Sequence, residues 1–256
     1  MVKVAIGAGH GYYTPGKRSP ADEREWSFNN KVVVAAMMYL NGYENVSIIR
    51  LDDPTGNTDV PLSDRTNNAN NANADILVSY HHNAYTGEWG SWTGTETYHY
   101  PGSSSGYSLA QKVHPGIVGS MGLRDRGIKN ENFYMLRESN MPAILIEGGF
   151  MDSTIDIQKM RDDTVLDNTG KALADAIASH FGLEKKSSGD AFIEIITDSL
   201  WTYNTPDWDD KAVIVSRGEV FTVIRDKFPV GGGHMYQIKS GLYITANTNY
   251  VRYYTK

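Results

Sequence analysis

The feature that most limits the fold is a change of pattern at "LEKKSSGD", residues 183–190. Before it, short apolar runs rich in β-branched residues alternate with longer stretches of helical period. After it the helical period is gone. A chain of 256 residues broken in this way reads as two folding units. The expected strands are 2–6, 46–50, 75–80 and 143–146, and the expected helices are 24–40, 63–73, 105–121 and 164–181. This alternation predicts an α/β fold over residues 1–183, with a mostly parallel sheet flanked by helices. Residues 184–190 are expected to form a charged, Ser/Gly-containing linker. In 191–256, segments such as "AFIEIIT", "EVFTVIRD" and "LYITA" are rich in Val, Ile, Thr and Tyr and are separated by Gly and Asn/Asp. That pattern predicts a small all-β barrel domain.

Composition removes several function classes. Lys and Arg number 24 against 30 Asp and Glu, for a net charge of −6. Neutralising phosphates requires a basic surface, so nucleic acid is not an expected partner. The absence of Cys excludes disulfides, thiolate metal sites and cysteine nucleophiles, and leaves His and carboxylates as metal ligands. The longest apolar run, "VVVAAMMYL", is far shorter than a bilayer span, so no membrane insertion is expected. The first residues hold one Lys and a short apolar strand, so no signal peptide is expected.

In a parallel α/β sheet, sites form beyond the carboxyl ends of the strands. Strand 2–6 leads into "GAGHG" and His10. Strand 75–80 leads to His81, His82 and Asn83, and strand 143–146 leads to Glu147. Each has a plain structural explanation when taken alone. A histidine in a glycine-rich turn can be a turn residue. His81 and His82 cannot both face one site, because adjacent strand residues point to opposite sides. Glu147 is harder to explain structurally, since burying an unpaired carboxylate is costly. Within helix 24–40, Glu25 shares a face with Phe28, Val32 and Ala36, whereas Glu23 falls on the polar face. Glu25 then either favours the helix N-terminus electrostatically or meets an inward cation. Two imidazoles and one carboxylate make a zinc site with an open fourth position, and a further carboxylate there can transfer protons during amide hydrolysis. A phosphate-binding role for the loop fits less well, because "GAGHG" lacks both the third glycine of a dinucleotide loop and the lysine of a P-loop.

These residues resemble the zinc-dependent N-acetylmuramoyl-L-alanine amidases of the type 3 family. The resemblance spans the first 183 residues and rests on "GAGHG", on Glu25 followed four residues later by Asn29, on "SYHHNA", and on "GLRDRGIKNENFYMLRESNMPAILIEGGFMD". It implies Zn2+ held by His10, Glu25 and His81, His82 in a variable slot, and Glu147 as the catalytic glutamate. It further implies peptidoglycan as substrate, cleaved between the lactyl group of N-acetylmuramic acid and the L-alanine of the stem peptide. Two departures, the aromatic loop "AGHGYYTPGKRSPADERE" and Tyr80 in place of an aliphatic residue, are expected to alter the rim of the cleft. The segment "KSGLYITANTNYVRYY" is similar to bacterial Src-homology-3-like wall-binding domains. A catalytic unit joined to a wall-binding unit without an export signal suggests a phage endolysin, made in the host cytoplasm and reaching the wall through a membrane pore. A zinc peptidase acting on the stem peptide and a non-enzymatic wall-binding protein with structural zinc are the alternatives.

Overall fold

The computed structural model describes residues 1–186 and 191–255. The chain divides into two units, Met1–Lys186 and Ser187–Lys256. The strands of the first are β1 (Val2–Ala8), β2 (Val46–Arg50), β3 (Ile76–Asn83), β4 (Thr95–His99), β5 (Asp125–Asn130) and β6 (Ala143–Phe150). Its helices are α1 (Glu25–Leu40), α2 (Leu62–Asn71), α3 (Ser104–Met121), α4 (Tyr134–Arg137), α5 (Asp156–Met160) and α6 (Asp163–Phe181). The strands form one sheet in the order β2-β1-β3-β6-β4-β5. The first four run parallel; β4 joins β6 antiparallel and takes β5 along in its own direction. The sheet is therefore mixed but mostly parallel, as the alternating pattern predicts.

Three of the expected strands run further than their apolar residues do, ending at Ala8, Asn83 and Phe150. Strands β4 and β5 lie outside the expected set. The sequence of β5, "DRGIKN", carries charge and glycine where an apolar alternation would mark a strand. Its backbone pairing comes from β4 and not from its own propensity.

Helices α1, α3 and α6 cover one face of the sheet. There Ile6, Val78 and Ile146 pack with Val32, Leu109 and Ile177, all fully buried. The crossing of α1 and α6 depends on Gly170, where a Cβ would come within 2.5 Å of the Ala35 methyl. The opposite face is smaller, with Ala5, Leu77 and Leu145 under Ala69 of α2 and Met135 and Leu136 of α4. With both faces covered, the central strands read as continuous apolar runs. Glu184–Lys186, which the composition assigns to the linker, are held against the turn after α1 by a bridge between Lys185 and Tyr43. The rest of that linker, 187–190, lies outside the described residues.

The second unit contains β7 (Ala191–Ile195), β8 (Ser199–Tyr203), β9 (Lys211–Ser216), β10 (Val220–Val230), β11 (Gly233–Ile238), β12 (Tyr243–Thr245) and β13 (Val251–Thr255). They pair antiparallel in the order β13-β7-β10-β11-β12-β8-β9. Ile193, Ile195, Ile238, Ile244 and Val251 form its core. Among the described residues no helix is long and apolar enough to cross a membrane.

Candidate active site

Strand β1 delivers its chain end into a tight turn. The Gly9 N–H donates to the carbonyl of Tyr80 on β3, and His10 then adopts φ 64°, the left-handed region that residues with a Cβ rarely enter. Arg65 of α2, 2% exposed, stabilises the turn by donating to the carbonyls of Ala8 (2.6 Å) and His10 (3.0 Å). Gly9 is required by proximity: a Cβ there would fall 2.2 Å from the His81 ring. Burial pushes the His10 imidazole down to about 4, although the neighbouring Glu25 charge opposes the shift.

Glu25 is the first residue of α1 and only 2% exposed. Its Oε2 lies 3.2 Å from His10 Nε2, and its Oε1 lies 3.1 Å from His81 Nδ1. The same Oε1 accepts the His82 backbone N–H (3.3 Å) and Asn29 Nδ2 (3.2 Å). Burial alone would raise the Glu25 carboxyl, but the His81 hydrogen bond and charge, the His10 charge and the Asn29 hydrogen bond outweigh it, to about 2. The His10 and His81 rings meet edge to face at 5.0 Å. One ligand atom from each of His10, Glu25 and His81 lies within 4.8 Å of the others. This donor set of two imidazole nitrogens and one carboxylate suits zinc, whereas calcium and magnesium favour all-oxygen cages. Beside the cluster opens a pocket of ≈ 300 Å³, lined by His10, Ser79, His81, Arg65 and residues 59–62.

The third expected group stands one strand further along. Glu147 of β6 pairs in register with His81 of β3, and Glu96 of β4 pairs with Glu147. Side chains at paired positions share a face, so an imidazole and two carboxylates stand abreast across three strands. Glu147 Oε2 is buried and accepts no hydrogen bond among the described residues. Burial, with the Glu25 and Glu96 charges nearby, drives its carboxyl well above the usual range.

The pleat puts His81 and His82 on opposite faces of the sheet. His82 is 2% exposed on the face covered by α1, α3 and α6, its Nδ1 paired with Asn29 Oδ1 at 2.8 Å. Burial pushes its imidazole down to about 3, so it is neutral. Tyr80 shares that face and is fully buried in the core. This corrects the expectation that Tyr80 shapes the cleft rim: two residues along a strand return to the same side, and Tyr80 follows His82 inward. Tyr13 of the aromatic loop, by contrast, is 69% exposed. Sequence reasoning missed Arg65 and Glu96. Arg65 sits in a polar helix with no local motif, and Glu96 lies on an unforeseen strand.

The family profile described as N-acetylmuramoyl-L-alanine amidase matches residues 4–179. An endolysin of Bacillus phage SPP1 is 35% identical over 212 residues, covering 74% of this chain and 76% of its own. The sporulation-specific N-acetylmuramoyl-L-alanine amidase of Bacillus subtilis is 34% identical over 189 residues, covering 73% and 71%. Among solved structures, an N-acetylmuramoyl-L-alanine amidase from Clostridium difficile 630 superposes with a TM-score of 0.66 at 33% identity. The match covers 71% of this chain and 97% of that one. The catalytic domain of CwlV from Bacillus (Paenibacillus) polymyxa gives 0.67 at 27% identity, covering 72% and 100%.

Proposed function

Because the chain belongs to the N-acetylmuramoyl-L-alanine amidase family, we propose that it hydrolyses the amide between the lactyl group of N-acetylmuramic acid and the stem L-alanine. The observation that carries this reading is the convergence of His10, Glu25 and His81 within 4.8 Å, with Glu147 in register beside His81. His10, Glu25 and His81 would hold zinc, which when bound supplies Lewis acidity toward a carbonyl oxygen and water. Asn29 and the His82 N–H aim the Glu25 carboxylate, and Arg65 fixes the backbone that carries His10. Glu147 accepts the proton of the attacking water and passes it to the departing amine nitrogen as the C–N bond breaks. A carboxyl already pushed up by burial is suited to holding that proton in transit.

The second unit, with its antiparallel strands and surface aromatics such as Trp201 and Tyr253, is read as a barrel-like wall-binding module. Together with the phage relative, this supports an endolysin role, acting on the wall from the host side. The test is digestion of purified walls, with and without a chelator, followed by mass analysis. The expected products are new L-alanine N-termini and intact glycan, lost on chelation. Glu147→Gln should lower turnover by about 10²–10⁴-fold with metal content unchanged. A new N-terminus at any other residue would indicate a peptidase. Undiminished lysis by Glu147→Gln would leave only wall binding.

A further inference from the structure

The row of ionisable side chains does not end at Glu96. Glu96 is 3% exposed, and its Oε1 accepts both Arg126 Nε and Lys129 Nζ at 2.5 Å. Its Oε2 accepts the Tyr98 hydroxyl at 2.5 Å. One cation would neutralise one carboxylate, yet β5 supplies two, leaving a surplus positive charge at the end of the row. Both cations are braced, Arg126 over the Phe150 ring and Lys129 over the Tyr98 ring. They also face solvent, with side chains 32% and 40% exposed. Arg126 uses only its Nε on Glu96. Its two terminal amino groups make no hydrogen bond among the described residues, which leaves the guanidinium edge suited to gripping a carboxylate.

We infer that Arg126 and Lys129, held by the buried Glu96, form a binding site for a free carboxylate of the substrate peptide. The inference rests on the amidase reading for the orientation of that peptide. Adjacent strands are about 4.8 Å apart, so a carboxylate gripped here lies roughly 5–10 Å from Glu147. An extended chain covers about 3.5 Å per residue. That reach matches the α-carboxylate of the second stem residue. The site therefore selects stems in which this group is a free acid over those in which it is a carboxamide.

The test uses the product tripeptide L-alanyl-γ-D-glutamyl-L-lysine, and its analogue with the second residue's α-carboxyl converted to a carboxamide. Calorimetry on the full-length protein should show the acid binding about tenfold more tightly. In the Arg126→Gln/Lys129→Gln variant the difference should fall below about twofold. The matching muramoyl tripeptides should show the same preference in KM, with kcat nearly unchanged. Arg126→Lys keeps Glu96 paired if the double variant does not fold, and should lose most of the preference. Equal binding of acid and amide by the unaltered protein overturns the inference, as does full retention of the preference in a folded Arg126→Lys variant. Acid-selective binding combined with cleavage at another bond would overturn the amidase reading and leave the carboxylate site standing.

Discussion

The two faces of β3 treat neighbouring histidines in opposite ways. His81 points to the open side, where it meets a carboxylate, a second imidazole and a pocket. His82 points beneath α1, where its ring packs against Phe28 and Tyr80 and, among the described residues, its imidazole has Asn29 as its hydrogen-bond partner. The same side chain is a candidate ligand on one face and a strut on the other. The pleat decides between them, and the strut still matters to the ligand. Asn29 Oδ1 faces His82, so Asn29 Nδ2 is directed at Glu25 Oε1 and the Gly9 carbonyl. The buried face thereby orients a group on the open one.

The sharpest way to break this contrast is to remove each ring in turn. His81→Ala should abolish both metal retention and turnover, measured by metal analysis and wall digestion. His82→Leu should keep the metal, with affinity weakened about 10–100-fold as for other groups that orient ligands. It should leave a second signature of similar size on the metal-free fold. Leaving Asn29 Oδ1 unpaired in the core costs about 1–3 kcal/mol, readable as a shifted denaturant midpoint. Complete loss of metal in a folded His82→Leu protein would mean that the two faces are not distinct in function.

A smaller effect concerns the loop that leaves the same sheet edge after β3. Asp152 accepts the backbone N–H groups of Tyr85, Thr86 and Gly87 and the Trp92 indole. Burial pushes the Asp152 carboxyl up, but these donated hydrogen bonds outweigh it and hold it below the usual range. A depressed folded-state pKa contributes stability that is present above the unfolded value, about 3.9, and is lost as pH falls through the folded value. Acidification below about pH 4 should therefore loosen this loop, seen as faster amide exchange at residues 85–87. Asp152→Asn should flatten that pH dependence. An unchanged profile in the variant would assign the acid response elsewhere.

Much of the open face is legible in the sequence because its groups sit where apolar runs stop. His10, His81 and Glu147 each follow a strand core, and Glu25 heads an amphipathic helix. The face beyond Glu147 is not legible, for a physical reason. β4 pairs with β6 and β5 only with β4, so Arg126 and Lys129 occupy positions on a strand whose own sequence lacks a strand-like pattern, and Glu96 lies on the strand that links it to the site. Arg65 escapes for a related reason: the partners that tie it to the turn are backbone carbonyls 55 and 57 residues away, and a carbonyl has no sequence signature. His82 is separable from His81 only as one of a pair, since periodicity says that two neighbours diverge and not which one faces the site.

Gly9 gives position 9 an unusual profile of tolerance. At most sites in a protein a range of side chains is acceptable, and inheritance drifts among them. Here even one added methyl would occupy the place of the His81 ring, so alanine should be rejected as firmly as tryptophan. In a saturation library scored for wall hydrolysis, position 9 should show a single survivor. The neighbouring His10 should fail for a separate reason, the loss of its imidazole. Two adjacent codons would then be frozen by unrelated demands, one for emptiness and one for chemistry.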